Sequence, residues 1–279
     1  MRQMLRQAVE DSRINVNSES VDDALQFIKD SLHCFHLYQG HRNRVINQQI
    51  GIAKVDEEMI AQVLLTKEHG TTMRVTIDFK QNYLEQRLRE NQISNYGQRG
   101  IVWHIACAEF YQYEAPCEGN DFKESAIKVQ VPLDQILDSG NKKDGETVLC
   151  DLEALLVKTS VELPHIKYII LNSDNAGCYH KKELLLSIPL LNANSDGPKI
   201  SRVIRTETQD GKGQADSHGA CGTDHIDCHF LLTRDEDTQY NKSCTPLDVA
   251  KGLSCNGGLQ NTGTCISSLT NCKELLTNL

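Results

Sequence analysis

Hydrophobic periodicity changes repeatedly along this chain, and the order of those changes restricts the fold more than any other feature. Met73, Val75, Ile77 and Phe79 alternate with Arg74, Thr76 and Asp78, the two-residue period of a strand with one face turned to a core. The run Ile101 to Tyr111 is apolar on both faces and reads as a second strand, with Lys128–Val131 a shorter third candidate. The period then lengthens. Asp151 is placed to cap a helix whose Leu152, Leu155, Leu156 and Thr159 fall on one side. Pro164 leads into Ile166–Asn172, a continuous run of β-branched residues and Leu that suits a central parallel strand covered on both faces. Lys181–Ile188 reads as helix, Ile200–Ile204 as strand, Asp210–Gly213 as a glycine loop, and a further helix starts at Gln214. Strands followed by alternating helix and strand predict an α/β layer fold, a mixed sheet flanked by helices.

The two flanks differ from this middle. Ser20 is a suitable N-cap, and Val21, Ala24, Leu25, Ile28 and Leu32 recur at helical spacing, predicting a helix that ends near Gly40 and His41. A second, shorter helix is expected over Asp56–Lys67, where Met59, Ile60, Val63 and Leu64 share a face. Beyond about Thr233 the pattern decays, and Thr238–Leu279 is rich in Asn, Thr, Ser, Gly and Cys without a sustained period. The expected division is a helical N-terminal region over 1–69, an α/β core over 70–232 and an irregular Cys-rich tail over 233–279. No internal repeat is present.

With 279 residues, 39% of them hydrophobic and 24% charged, the chain can build a sizeable core. Its net charge of -9 counts against tight binding of nucleic acid through the whole surface, because phosphate affinity comes from Lys and Arg. A local basic groove is compatible with that total, since net charge does not report distribution. No apolar run is long enough to span a bilayer, and Met1–Gln7 lacks the apolar core of a secretory signal. An intracellular protein, nuclear or cytoplasmic, is the expectation, with most of the 11 cysteines reduced.

Two acids stand out for their positions. Asp78 lies near the end of the first predicted strand, and Asp174 closes the run beginning at Ile166. In open α/β sheets ligands gather outside the carboxyl ends of strands, and carboxylates brought together there can hold divalent metal for phosphodiester chemistry. Each alone has a plainer reading: Asp78 as an edge or turn acid, and Asp174 in Asp-Asn-Ala-Gly as a cap for the next helix.

The surrounding blocks resemble a family. Ile77-Asp78-Phe79 with Asn82-Tyr83, then Gln92-Ile93 and the run Tyr96 to His104, is similar to the first-acid region of transposon-derived proteins with a ribonuclease H-like DDE transposase core. Leu171-Asn-Ser-Asp174-Asn-Ala-Gly-Cys-Tyr-His180 resembles their second-acid strand end, and Glu207 to Asp216, with its Gly-Lys-Gly turn, resembles their third block. The resemblance covers about residues 70 to 230. It implies a ribonuclease H-like mixed sheet and two-metal strand cleavage and transfer on DNA. Mg²⁺ or Mn²⁺ would be held by Asp78, Asp174 and Asp216, with Glu207 the alternative third acid. The chain departs from the pattern after Asp216, where Ser217 to Asp224 contains no Lys or Arg.

Other constellations carry less. His218, Cys221 and His225 would share a helical face suited to Zn²⁺, but Gly219 and Gly222 weaken such a helix and no Cys-x2-Cys knuckle accompanies them. Gly211-Lys212-Gly213 lacks the spacing of a nucleotide P-loop. Lys80 and Arg99 are candidates for phosphate contact, though isolated basic residues are usually solvated. Cys178 beside His180 reads as a packed thiol next to a surface His. Two other readings stay open: a non-catalytic, transposon-derived interaction module, and a ribonuclease H-like exonuclease, for which the first strand lacks an Asp-x-Glu pair.

Overall fold

The computed structural model describes residues 18–80, 82–83, 100–116, 124–137, 143–206, 214–233, 244–255, 258–259 and 263–267. Their elements in chain order are α1 Ser18–Thr66, β1 Thr72–Phe79, β2 Trp103–Glu114, β3 Ser125–Leu137, α2 Gly145–Glu162, β4 Tyr168–Ser173, α3 Lys182–Asn194, β5 Lys199–Arg205, α4 Gln214–Thr233, α5 Pro246–Ser254 and β6 Gly263–Ser267. The six strands form one mixed sheet in the order β5-β4-β1-β2-β3-β6. Strands β1, β2 and β3 make an antiparallel meander, while β4 and β5 continue the other side of β1 in parallel.

One sheet face carries Met73, Val75, Ile77, Ala106, Ala108, Phe110, Ile169 and Leu171, and packs on Val148, Leu152, Leu155 and Leu156 of α2 and on Leu184, Ile188 and Leu191 of α3. Burial of each such leucine or isoleucine is worth about 1.5–3 kcal/mol. The opposite face divides in two. Val55, Met59 and Val63, at helical steps of four on α1, cover Tyr111 and Ile170. Ala215, Ile226 and Phe230 of α4, with Val249 and Leu253 of α5, cover Trp103, Ile105, Cys107 and Ile136. An ion network fastens the α1 end of this second face. Arg74 bonds both oxygens of Asp56 at 3.1 Å and also reaches Glu109, which Lys128 and Gln130 meet at 2.6 and 2.9 Å.

The predicted strands and helices of the middle region form, with two differences there and one in the region before it. The third strand is 13 residues long and passes through Pro132. Pairing with β6 begins only at Leu133, so Pro132 sits where no partner on that side needs its missing N–H. Helix α2 starts earlier than expected: Asp144 caps it by accepting from Thr147 N at 3.0 Å, and Asp151 lies inside the helix, fully buried. The two helices expected in the first 69 residues are one, Ser18–Thr66. Gly40 lowers helix propensity there by about 1 kcal/mol, too little to end a helix without a left-handed cap.

The chain separates into two compact units, Met1–Ile52 and Ala53–Leu279. In the first, the described residues are helical from Ser18 onward, with Phe27, Phe35, Leu37 and Tyr38 exposed. The stretch after 233, expected to be irregular, supplies α5 and β6. Thr245 and Asp248 form a reciprocal capping box with Pro246 at the helix start, and Val249 and Leu253 are buried. This helix is too short for periodicity alone to reveal. Cys150 is in a disulfide, whereas Cys34, Cys107, Cys178, Cys221, Cys228, Cys244 and Cys255 are free. Among the described residues no helix is long and apolar enough to cross a membrane.

Candidate functional site

Strands β1 and β4 are parallel neighbours whose last register pair is Ile77 with Ser173. Asp78 and Asp174 each follow that pair by one residue. They therefore stand level at the carboxyl ends of two neighbouring parallel strands, Asp78 within β1 and Asp174 just past β4. Two residues back, Asn172 Nδ2 donates to Thr76 Oγ1 at 3.3 Å across the same two strands. Beyond β4 the chain turns at once: Asp174 Oδ1 accepts from Ala176 N at 2.9 Å. Asp174 thus shapes this turn instead of capping α3, whose N-cap is Lys181.

Asp216 lies in the first turn of α4. Ala215, Gly219, Gly222 and Ile226 are buried along one stripe of that helix, and its two glycines let the helix approach the sheet closely. A Cβ at Gly219 would fall 2.8 Å from Lys80 Cδ and 3.0 Å from Ile105 Cδ1, and one at Gly222 only 2.5 Å from Trp103 Cη2. The same residues that weaken helix propensity set the height of Asp216 over β1 and β2. A second tie acts one step away. His218 Nε2 donates to both oxygens of buried Asp134 at 3.0 Å, and Trp103 Nε1 donates to Asp134 at 2.8 Å. Asp134 pairs with Ile105, which pairs with Asp78, so this anchor lies in the same cross-strand row as the first acid.

The three acids share an electrostatic field. The Asp78 carboxyl is pushed up to about 6, first by burial and then by the negative charges of Asp174 and Asp216. Lys143 opposes that charge in part. Lys143 is exposed, yet desolvation pulls its ammonium below the ordinary lysine value, while Asp78 acts in the other direction. Lys143 Nζ donates to Lys80 O at 2.5 Å and lies 5.8 Å from the centre of the Phe79 ring.

Beneath the acids, on the α2 face, His104 forms a buried network. Gln135 Nε2 donates to Asp151 O at 2.6 Å, which turns Gln135 Oε1 toward His104 Nδ1 at 2.8 Å. Asp151 Oδ2 is also 3.2 Å from that nitrogen. Both neighbours accept, so Nδ1 carries the proton and Nε2 accepts from the Tyr179 hydroxyl at 3.2 Å. Burial holds the imidazole neutral by lowering it to about 4. Tyr179 stacks on Phe79 and belongs to the turn that begins at Asp174, so the network anchors the turn carrying the second acid.

The zinc trio does not assemble. His218 is taken by Asp134, His225 Nε2 donates to Cys255 O at 3.2 Å, and Cys221 is exposed. Among the described residues, no three His, Cys, Asp or Glu side chains stand close enough together to hold a metal ion as placed. Tyr83, from the first-acid block, is buried and donates to Asp227 Oδ1 on α4 at 2.7 Å, a packing role. Cys178 is a half-buried thiol pushed up chiefly by desolvation, and His180 sits on the surface. Glu207, the loop at 211–213, Arg99 and the 92–98 part of the first block lie outside the described residues.

Sequence reasoning missed Asp134, Tyr179 and Lys143. Asp134 follows Pro132, where a strand reading stops, and Lys143 lies in a polar stretch that reads as loop. Tyr179 carried a weak signal, as an aromatic residue inside the second-acid block. No protein-family model matches the chain, and no curated protein matches it.

Proposed function

We propose that this chain is a DDE transposase-like nuclease or strand transferase, acting on DNA phosphodiesters through divalent metal on a ribonuclease H-like core. One observation carries the reading: Asp78 and Asp174 stand level on adjacent parallel strands at their carboxyl ends, with Asp216 close enough to raise Asp78. An antiparallel β1–β2–β3 meander continued by parallel β4 and β5 also supports the ribonuclease H-like arrangement.

The donor set fits a hard cation in kind. All three groups are carboxylates, the ligands that Mg²⁺ and Mn²⁺ prefer, and Asp78, raised first by burial, is raised further by the charges of Asp174 and Asp216, a repulsion that a cation would relieve. Asp78, Asp174 and Asp216 would hold the metal once their carboxylates draw together, since in the structure the three do not yet surround one ion. When bound, it supplies activation of the attacking oxygen and stabilisation of the leaving one. The chain's own contributions are positional. The Ala176 N–H fixes the Asp174 carboxylate, the Tyr179–His104 bond anchors its turn, and the glycine stripe with His218–Asp134 sets Asp216 against the sheet.

The test is nicking of supercoiled plasmid in Mg²⁺ or Mn²⁺ against EDTA, with the native chain beside Asp174→Asn. Metal-dependent cleavage that disappears in Asp174→Asn is the expected result. Equal cleavage by both would overturn the assignment. A folded native chain that leaves the plasmid intact would favour the non-catalytic interaction module.

A further inference from the structure

We infer that Lys80, Lys143 and Lys181 form a phosphate-binding rim that seats a DNA strand beside Asp78. The inference rests on the proposed action at phosphodiesters and names the residues that would hold the substrate backbone. The three lysines come from three segments: the end of β1, the approach to α2 and the approach to α3. They meet at the carboxyl edge of the sheet. Lys143 Nζ bonds the backbone oxygen of Lys80. The Lys181 stem crosses the start of α2, where a Cβ at Gly145 would lie 3.1 Å from Lys181 Cδ. The Lys80 stem runs beneath Gly219 of α4, one turn on from Asp216.

These lysines differ from others in the fold in converging on the carboxyl edge beside the acids, and they are not drawn off into ion pairs. Lys67 pairs with Glu124, Lys128 with Glu109 and Lys158 with Glu162. Among the described residues, Lys80, Lys143 and Lys181 have no salt bridge. Their charge stands at the edge where three acids would repel a polyanion, with Lys143 already offsetting part of the Asp78 charge. A chain of net charge -9 can bind a phosphate backbone only where cations are locally concentrated. Lys143 is held by a carbonyl and an aromatic face, so little side-chain freedom is left to lose on binding. Lys181 also precedes α3, whose start has no side-chain cap, and the N–H groups of that first turn add to the positive field.

Fluorescence anisotropy with a labelled single-stranded DNA oligonucleotide in EDTA tests the rim without metal or turnover. It compares the native chain, Lys143→Gln/Lys181→Gln and Lys54→Gln, the last removing one exposed charge on α1. The double variant should weaken binding by roughly tenfold or more, and its salt slope should fall by about 1.4, near 0.7 per lost phosphate contact. Lys54→Gln should bind as the native chain does. Unchanged binding by the double variant, equal weakening by Lys54→Gln, or no binding by the native chain at low salt would each overturn the rim. The nuclease reading fails separately. Loss of DNA binding in the lysine variants without cleavage by the native chain keeps the rim and removes the enzyme, whereas cleavage with unaltered binding does the reverse.

Discussion

Gly222 of α4 lies flat against Trp103 of β2, so close that a methyl group on Gly222 would stand 2.5 Å from the ring carbon Cη2. Trp103 is fully buried and tied to Asp134, so the ring cannot swing aside without breaking a buried hydrogen bond. Alanine would raise helix propensity here by about 1 kcal/mol, but overpacking costs about 1–3 kcal/mol. Gly222→Ala is expected to destabilise the fold by about 1 kcal/mol in urea unfolding. Gly51→Ala is the contrast. Nothing lies within 4 Å of a Cβ there, and helicity by circular dichroism should rise. A stabilised Gly222→Ala would show that α4 does not rest on the sheet as described.

Asp78 and His104 pull stability in opposite directions over the same pH range. Asp78 is raised from 3.8 to about 6, so the native state keeps a proton that the unfolded chain has lost, and stability falls as pH rises through that window. His104 is lowered from 6.5 to about 4, so the unfolded chain holds the extra proton and stability rises over nearly the same interval. The two tendencies offset one another in the native chain. Unfolding midpoints from pH 4 to 7 should climb more steeply with pH in Asp78→Asn than in the native chain, and less steeply, or downward, in His104→Gln. Parallel profiles for all three would refute the assignment. At pH 7, Mg²⁺ should stabilise the native chain more than Asp78→Asn.

The Tyr179 hydroxyl donates a hydrogen bond to His104 Nε2. Tyr179→Phe keeps the ring stacked on Phe79 but leaves a buried acceptor without its donor, a loss of about 1–3 kcal/mol. The Asp174 turn is anchored through this bond, so metal affinity measured by titration calorimetry should weaken as well. A variant as stable as the native chain would mean that the bond contributes nothing to the core.

Arg74 joins two acids from different elements, Asp56 of α1 and Glu109 of β2. Removing the guanidinium in Arg74→Ala takes the pair from Asp56 and one bond from Glu109, which keeps Lys128 and Gln130, and should cost about 1–3 kcal/mol. Glu109→Gln should cost less, because Arg74 keeps its two bonds to Asp56. The reverse order in chemical denaturation would contradict the network.

The amino-acid order by itself determined the elements of the core and the sheet face of the first acid. Met73, Val75, Ile77 and Phe79 must share a face because a strand repeats every two residues, so Asp78 is turned to the other. The run ending at Asp174 read as a central strand because it is apolar on both sides. Period and composition are local properties, and a chain carries them openly. What stands beside what is not local. Only the tertiary structure decided that Asp78 and Asp174 stand level, since that depends on which strands pair and in which register. It alone turned Asp151 from a helix cap into part of a buried imidazole network, and Gly219 and Gly222 from helix breakers into the surface on which α4 meets the sheet. A glycine weakens an isolated helix because it packs nothing and frees the backbone. Against Trp103 and Ile105 the same missing side chain is what permits contact.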